Sequence, residues 1–247
     1  MNSLVLRTNK DNTLEYRQLT SDDVEEALTI MEKTFLREEN VCRAYGLTKN
    51  PQNVAEQRKL MRDIVKDGVS IVVIDKSNNK VVGASLNKIH VKPAPGEKTY
   101  HGKFADMSKE SISRSNAEFD DYTVSTFFEL CQVDCLLELT MVGLLPEYRK
   151  DTNGTLIYQT VIDLGRGLAT GVKTKQPVDG QELALEPVPE IITGVCTTEK
   201  AWVRAKHFGF KLVAEVGFDK FSFEGKTLAD VVDNKDFQIK LVYQSLK

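Results

Sequence analysis

The sequence predicts an α/β (α+β) fold in a single domain, residues 1–247. Short apolar runs typical of strands alternate along the chain with stretches whose apolar residues recur at helical spacing. The 247 residues contain no internal repeat, low-complexity tract or interdomain linker. Apolar residues make up 41% of the chain and charged residues 28%, a composition typical of a soluble globular domain with a substantial core.

The first third of the chain predicts a strand followed by two helices. Residues 14–19 form the strand, and Thr20 or Ser21 is a suitable N-cap for the helix that follows. Apolar side chains recur at helical spacing over residues 24–35, so this helix has one buried face. The second helix spans residues 51–68, because an Asn-Pro pair favours a helix start and a glycine favours a helix end.

A hairpin, a loop and a long helix are expected next. Residues 69–75 and 80–90 predict an antiparallel hairpin, since an Asn-Asn turn separates two apolar runs. Prolines and glycines favour a loop over residues 92–103. The polar stretch 108–130 is predicted to be helical.

The second half of the chain alternates regularly between strands and helices. Residues 136–145 form the central strand of the sheet, and Asn153 is well placed as the N-cap of the next helix. The elements that follow the central strand are predicted to be a helix at 154–168, a loop at 171–189, a strand at 191–196, a helix at 198–208, and strands at 211–217 and 238–243.

Composition excludes several classes of protein. A net charge of −3 argues against a nucleic-acid-binding protein that depends on a basic surface, and against binding to an anionic membrane. No apolar run approaches the ~20 residues that span a bilayer, and the first residues lack the pattern of a signal peptide. The four cysteines are scattered, as is typical of free thiols in the cytosol. We expect a cytoplasmic monomer or weak dimer whose partners are small molecules, not nucleic acid or membrane.

The cysteines and histidines do not predict a metal site. Cys131 and Cys135 stand one helical turn apart, but no further His or Cys stands nearby at ligand spacing. His90, His101 and His207 are isolated, and none stands with a Ser or Cys in a recognisable nucleophile arrangement. No metal is therefore expected.

One segment, residues 139–158, predicts an anion site. It reads as a buried strand, a Pro-Glu-Tyr-Arg sequence and a small-residue turn that opens a helix. Free backbone N–H groups at that helix N-terminus, beside Arg149 and Lys150, suit a phosphate or pyrophosphate. A plain strand–turn–helix junction with a cap is the alternative.

This segment resembles the acyl-CoA-binding motif of the GCN5-related N-acetyltransferases, Val-x-Pro-x-Tyr-Arg-x-x-Gly-x-Gly/Ala. Gly154 matches the second motif glycine, whereas Thr152 replaces the first and restricts the turn. The sequence Lys206-His-Phe-Gly-Phe210 resembles the Lys-x-Gly-Phe ending of that superfamily, and the order of elements matches it over nearly the whole chain. The resemblance implies a central mixed, mostly antiparallel sheet, splayed at the acyl-CoA site and flanked by helices.

The resemblance also implies how acetyl-CoA, the acyl donor, would bind. Its pantetheine chain of amides would pair with free backbone groups of the central strand, whose N–H groups can polarise the thioester carbonyl. Its pyrophosphate would lie on the N–H groups of the turn and the helix start. The implied cofactor-binding residues are Val142, Gly143, Leu144, Arg149, Lys150, Thr152, Asn153, Gly154 and Thr155.

A second resemblance suggests the catalytic group. The sequence Phe35-Leu-Arg-Glu-Glu-Asn-Val41 resembles the Phe-Phe-x-Asp-Glu-Pro-Leu motif of the insect arylalkylamine N-acetyltransferases, which places Glu39 at that family's catalytic glutamate. A solvated helix end is the alternative. The sequence Cys196-Thr-Thr-Glu-Lys-Ala201 resembles that family's Cys-Ser-Ser-x-Tyr-Ser and makes Thr197 a candidate substrate contact.

Together the resemblances imply an N-acetyltransferase. Glu39 would take a proton from a small primary amine, which would attack the thioester of acetyl-CoA with no covalent enzyme intermediate. The amine would be an arylalkylamine first, and a polyamine or agmatine-like amine second. An N-acyltransferase that uses a longer acyl-CoA or an amino acid stays open. A non-catalytic CoA-binding module also stays open, and Thr152, Ala201 and Ala205 favour it because they depart from the family motifs.

Overall fold

The computed structural model of the chain describes residues 4–150, 152–234 and 236–247. Within these ranges there are ten strands: β1 (Val5–Thr8), β2 (Leu14–Gln18), β3 (Ile71–Asp75), β4 (Lys80–Val91), β5 (Cys135–Leu144), β6 (Ile191–Cys196), β7 (Lys211–Val216), β8 (Ser222–Phe223), β9 (Lys226–Thr227) and β10 (Ile239–Ser245). The same ranges contain eight α-helices: α1 (Val24–Lys33), α2 (Phe35–Glu38), α3 (Asn40–Tyr45), α4 (Pro51–Ile64), α5 (Tyr100–Met107), α6 (Ser111–Cys131), α7 (Asn153–Ala169) and α8 (Glu199–His207).

Eight of the strands form one sheet. Their order is β1-β2-β3-β4-β5-β6-β10-β7, and β8 and β9 form a separate hairpin. Neighbouring strands of the large sheet are antiparallel except for β5 and β6, which are parallel. The sheet is therefore mixed and mostly antiparallel, as predicted.

Helices cover both faces of this sheet. Successive residues of β3 alternate between two apolar cores: Val72 and Ile74 belong to the core of α1, α4 and α6, whereas Ile71 and Val73 belong to the core of α7. Both faces of β3 are buried, which explains its continuous apolar sequence. No helix in the described part of the chain has the length and apolar character needed to cross a membrane.

Strands β5 and β6 separate partway along their length. They pair only from Leu136 opposite Ile191 to Glu138 opposite Thr193. Beyond this point β5 continues beside β4 and β6 continues beside β10, so a wedge opens between β5 and β6. The register of β5 against β4 shifts at Thr140, a β-bulge that redirects the strand where the wedge begins. The predicted splay of the sheet is confirmed.

The first helix ends earlier than predicted. α1 stops at Lys33, because Thr34 has φ −115° and ψ −82°, and α2 follows as a separate turn. The break lies close against β5: a Cβ added to Gly143 would be 2.1 Å from Oγ1 of Thr34. Glu39 then has an extended backbone and begins α3 as its N-cap. The acidic pair thus lies at a corner between two short helices and not at the end of one long helix.

Two other regions differ from prediction. The loop predicted over residues 92–103 ends at Thr99, whose hydroxyl oxygen accepts the Gly102 N–H and caps α5. The helix predicted from residue 108 begins at Ser111. Strands β1, β8 and β9 were not predicted, because they are two to four residues long and lie at a sheet edge or in a small hairpin. The other predicted strands and helices are present.

Candidate active site

A cavity of about 600 Å³ fills the wedge between β5 and β6. It extends from the N-terminus of α7 and one face of α8, past the wedge, to the corner between α2 and α3 and to α6. Among the described residues, three of the predicted site residues do not line this cavity: Lys150, Thr152 and Asn153. The predicted residues that do line it are Glu39, Val142, Gly143, Leu144, Arg149, Gly154, Thr155 and Thr197.

Both carboxylate oxygens of Glu39 are hydrogen-bonded. As the N-cap of α3, Glu39 accepts the backbone N–H of Cys42 on Oε2 at 2.8 Å. Its Oε1 accepts the hydroxyl of Thr197 at 2.5 Å. Such charge-assisted bonds are short and fix geometry. Glu39 is half-buried and lines the cavity, whereas its neighbour Glu38 is exposed.

The same corner is held to the end of β6 by a second contact. The side-chain N–H of Asn40 donates to the Thr197 carbonyl oxygen at 3.1 Å. Thr197 is only 8% exposed, and its hydroxyl is already occupied by Glu39. Thr197 is therefore placed to orient Glu39. This role is additional to the predicted contact of Thr197 with substrate.

The cap of α7 differs from the prediction. Thr152 is the N-cap, and Asn153 is the first helical residue. The Asn153 side chain is drawn away from the helix end, because its N–H donates to the Tyr148 carbonyl at 3.1 Å. Its backbone N–H donates to the Lys150 carbonyl at 3.2 Å. The side-chain amide and the backbone N–H of Asn153 are therefore not free to bind a pyrophosphate in the way that the sequence predicted.

Gly154 and Thr155 are the residues of this helix start that line the cavity. A Cβ added to Gly154 would meet nothing within 4 Å, so the backbone here faces open space. Asp151, which lies inside the turn predicted to hold the pyrophosphate, falls outside the described residues. The open cradle at Gly154 fits a ligand that approaches the backbone closely.

Arg149 is tied to the protein at two points. Its Nε donates to the Leu144 carbonyl at 2.7 Å, and its Nη2 lies 2.7 Å from Oε2 of Glu38. Arg149 therefore joins the end of β5 to α2. Its side chain is 41% exposed, so the ion pair is screened by solvent and leaves the guanidinium open to an anion.

Two cationic residues of the cavity were not identified from the sequence. Lys200 and Arg204 of α8 both line the cavity, near Tyr158 of α7. Arg204 Nη1 donates to the Tyr158 hydroxyl at 3.2 Å. The i, i+4 spacing of Lys200 and Arg204 was the available signal, since it puts both cations on one helix face. They add positive charge to the side of the cavity that faces α7.

His90 and His101 are not isolated, contrary to the prediction. Oε2 of Glu138 lies 2.9 Å from Nε2 of His90 and 3.2 Å from Nε2 of His101. All three residues are buried, and the hydroxyl of Thr140 donates to the same carboxylate at 3.0 Å. Their ligand atoms lie within 4.8 Å of one another, so the trio is a set that could hold a metal ion. The direct contacts are those of a buried, hydrogen-bonded ion pair.

The trio shifts the pKa of each of its members. Burial opposes the charge of Glu138, but the hydrogen bonds and charges of His101 and His90 outweigh burial and hold the Glu138 pKa far below its usual range. Burial also opposes the charge of His101, yet Glu138 raises the His101 pKa above its ordinary value. For His90, burial prevails and the pKa is lowered. Glu138 therefore favours protonation of His101 more than protonation of His90.

Asp120 brings another carboxyl group to the cavity. It lies on α6, and its Oδ2 accepts the side-chain N–H of Asn116 at 3.2 Å. Burial raises the pKa of Asp120 to about 7; the charge of His101 opposes the shift, and the charges of Glu138 and Glu39 add to it. Several carboxyl groups therefore lie close together at this end of the cavity.

The cavity cysteines do not suit covalent catalysis. Cys42 and Cys196 both line it and are buried. Burial raises the pKa of Cys196 to about 12 and raises the pKa of Cys42 as well. A thiol with a raised pKa is a poor nucleophile near neutral pH. The geometry favours a proton-accepting carboxylate over a thiol nucleophile.

The chain was compared with known protein families, curated proteins and solved structures. No family model matches the chain, and no curated protein matches its sequence. Among solved structures, arylalkylamine N-acetyltransferase 2 from Aedes aegypti matches with a TM-score of 0.73 at 14% identity, over 96% of this chain and 100% of that one. A mosquito arylalkylamine N-acetyltransferase-like 5b matches with a TM-score of 0.73 at 15% identity, over 94% and 99%. The Drosophila melanogaster polyamine N-acetyltransferase, which forms N-acetylagmatine, matches with a TM-score of 0.69 at 15% identity, over 94% and 99%.

Proposed function

We propose that this chain, whose fold is that of the GCN5-related N-acetyltransferases, transfers the acetyl group of acetyl-CoA to a small primary amine. The observation that carries the proposal is the carboxylate of Glu39, oriented by Cys42 and Thr197 at the side of a cavity that fills the wedge of the sheet. The same cavity contains a candidate base, Glu39, and the N-terminus of α7, where the pyrophosphate of acetyl-CoA would bind.

The chemistry needs a base because the acceptor is protonated. A primary amine with a pKa near ~10.4 is almost fully charged at neutral pH and cannot attack. Glu39 accepts the proton of the bound amine, directly or through one water. The neutral amine attacks the thioester carbonyl, and those backbone N–H groups of Val142, Gly143 and Leu144 that face the wedge stabilise the negative charge on its oxygen. The thiolate of CoA leaves, and no covalent enzyme intermediate is needed.

The described residues fit an acyl-CoA in three respects. Beyond Glu138, β5 faces β6 across the wedge without pairing to it, so its backbone can meet the amides of pantetheine. Gly154 and Thr155 offer an open helix start for the pyrophosphate. Lys200 and Arg204 supply cations at the same end. We assign the donor to this half of the cavity, with Arg149 and Lys150 at its edge.

The acceptor occupies the other half, near Glu39. The solved structures of similar fold include enzymes named for arylalkylamines and for polyamines, so both classes are candidates here. The cavity offers apolar contacts from Phe35, Phe119 and Met141, and carboxyl groups from Glu39 and Asp120. An amine with a short apolar body suits this lining.

The test is thiol release from acetyl-CoA with a panel of arylalkylamines, polyamines, agmatine and amino acids. We expect amine-dependent release, and Glu39→Gln should lower kcat/KM by about 10²- to 10⁴-fold. The loss should be greatest at low pH, because each pH unit below the amine pKa cuts the neutral fraction about tenfold. The Kd for CoA should change little.

Glu129→Gln is the matched control, since Glu129 is exposed on α6 and should leave kcat/KM unchanged. Equal turnover by Glu39→Gln at every pH would remove Glu39 from the mechanism. If no amine releases thiol although CoA binds, the chain is a non-catalytic CoA-binding module or uses another donor. Longer acyl-CoAs tested against the same panel, amino acids included, separate these two outcomes.

A further inference from the structure

Gln57 is a buried amide without a hydrogen-bond partner. Its side chain is 0% exposed, and neither Oε1 nor Nε2 has a partner among the described residues. It nevertheless lines the cavity. Buried polar groups are nearly always paired, so an unpaired amide at a cavity wall points to a ligand that completes it.

The contacts between α4 and α6 show which residues Gln57 faces. Asn50 donates to Glu110 at 3.0 Å, and Ser113 donates to Asn53 at 3.2 Å, so the two helices run side by side in the same direction. Gln57 comes one turn after Asn53 on the same face of α4. It therefore faces the next turn of α6.

That next turn of α6 carries Asn116, with Asp120 one turn beyond it. Asn116 donates to Asp120, and both side chains line the cavity together with Gln57. Glu39 and Glu138 line the same cavity as Asp120, so carboxyl groups predominate at this end. The imidazole of His101 is already hydrogen-bonded to Glu138.

This end lies within reach of a molecule held at Glu39. Glu39, Cys42 and Asp120 line the same cavity, and the backbone N–H of Cys42 donates to Glu39. An amine whose reactive nitrogen is at Glu39 would share this cavity with Asp120 and Gln57.

We propose that Asp120 and Gln57 are specificity-determining residues that bind a second cationic group, an ammonium or guanidinium, at the far end of the acceptor amine. The proposal rests on the proposed acetyl transfer and adds that a diamine is preferred to a monoamine of the same length. A carboxylate and an amide oxygen accept the N–H bonds of such a cation, and the surrounding negative charge favours a cation over a neutral group.

The experiment compares kcat/KM for 1,4-diaminobutane and butylamine, in wild type, Asp120→Asn and Gln57→Leu. Wild type should prefer the diamine by about tenfold or more. Each variant should lose that preference by lowering kcat/KM for the diamine only. Gln57→Leu should fold normally, because replacing an unpaired buried amide with an apolar side chain is close to neutral for stability. Gln52→Leu, at an exposed position of α4, is the control and should keep the preference.

Three outcomes would overturn the proposal. The first is equal kcat/KM for the two amines in wild type, and the second is an equal loss for both amines in the variants. The third is a preference for tyramine over phenethylamine that the same variants abolish, without any preference for the diamine, since this would assign the subsite to a hydroxyl.

A binding measurement separates this proposal from acetyl transfer itself. Calorimetric titration of 1,4-diaminobutane into the protein with CoA present should show binding that Gln57→Leu and Asp120→Asn weaken by about tenfold. If this binding is found but no amine releases thiol, acetyl transfer fails and the cation subsite stands. If butylamine is acetylated but the diamine neither binds nor reacts better, the subsite fails and acetyl transfer stands.

Discussion

At the scale of single residues, Glu39 depends on Thr197 for its orientation. A carboxylate that accepts a proton from a bound amine must point one lone pair at the nitrogen. The Thr197 hydroxyl occupies Oε1 and the Cys42 N–H occupies Oε2, so the carboxylate cannot rotate without breaking a hydrogen bond. The Cys42 donor is a backbone N–H, which a substitution at Cys42 does not remove, so the Thr197 bond is the one that a change of donor side chain can test.

Thr197→Val should lower kcat by about 10- to 100-fold, the worth of a hydrogen bond to a charged group. The KM for acetyl-CoA should change little, because the Thr197 hydroxyl contacts Glu39. The effect should be non-additive with Glu39→Gln, since both substitutions remove one unit. Steady-state kinetics of the two variants and the double variant measure this.

Thr193→Val is the matched control for Thr197→Val. Thr193 lies on β6, the strand that Thr197 directly follows, and its buried hydroxyl has no partner among the described residues. Its loss should leave kcat unchanged. Additive effects of Thr197→Val and Glu39→Gln would show that Thr197 acts independently of Glu39.

At the scale of elements, two glycines have opposite surroundings. Gly143 lies where α1 ends against β5, and a Cβ there would be 2.1 Å from Oγ1 of Thr34 and 2.9 Å from Cε of Met31. Gly154 lies in the first turn of α7, where a Cβ would meet nothing. The first glycine permits close packing of two elements, and the second keeps a surface open.

The same substitution should therefore act differently at the two glycines. Gly143→Ala should lower the free energy of unfolding by about 1–3 kcal/mol, because the neighbouring side chains must shift. Gly154→Ala should leave that free energy equal or higher, since alanine favours a helix, but should weaken CoA binding by about tenfold. Denaturant titration and calorimetric titration with CoA measure the two effects. Unchanged CoA affinity in Gly154→Ala would place the pyrophosphate elsewhere.

At the scale of the whole molecule, one carboxylate joins three elements. Glu138 on β5 contacts His90 on β4 and His101 on α5, all of them buried. Removing one partner of a buried ion pair leaves the other charge uncompensated, which costs about 3–5 kcal/mol. The stability of the fold should therefore respond to the protonation of His101.

The pH dependence follows from the direction of the His101 shift. The pKa of His101 is raised in the folded state. Its contribution to the free energy of unfolding is therefore fully present below about pH 6.5, the pKa of histidine in an unfolded chain. The contribution is lost as the pH rises through the folded-state pKa. The difference in free energy of unfolding between wild type and His101→Gln should therefore be about 3 kcal/mol at pH 6 and smaller at pH 9.

Denaturant titrations at both pH values measure this difference. His207→Gln, at an exposed position of α8, is the control and should show little difference from wild type at either pH. A wild-type advantage over His101→Gln that stays constant between pH 6 and pH 9 would mean that proton binding at His101 does not stabilise the fold.

Local sequence was sufficient to predict the part of the site that is formed by one continuous stretch of chain. The strand, turn and helix from Leu139 to Tyr158 were predicted because an apolar run, a proline and small residues specify them without distant contacts. The cap was misassigned, since Asn153 turns toward Tyr148, a contact made inside the folded turn.

Distant partners could not be predicted in the same way. His90 and His101 are 48 and 37 residues from Glu138, and only the pairing of β4 with β5 and the packing of α5 bring them together. Nothing in the local sequence distinguishes Gln57 from the exposed polar residues of α4. Its burial depends on α6, whose position no local pattern specifies.

The corner held by Asn40 and Thr197 has a consequence for when transfer can begin. The donor half of the cavity is largely built from one continuous stretch of chain, whereas the base is aligned by a residue 158 positions away. Under the proposed mechanism, detachment of the α2–α3 corner would stop proton removal by Glu39 and leave the donor half of the cavity intact. Attachment of that corner to Thr197 would then decide whether a bound acetyl-CoA can react.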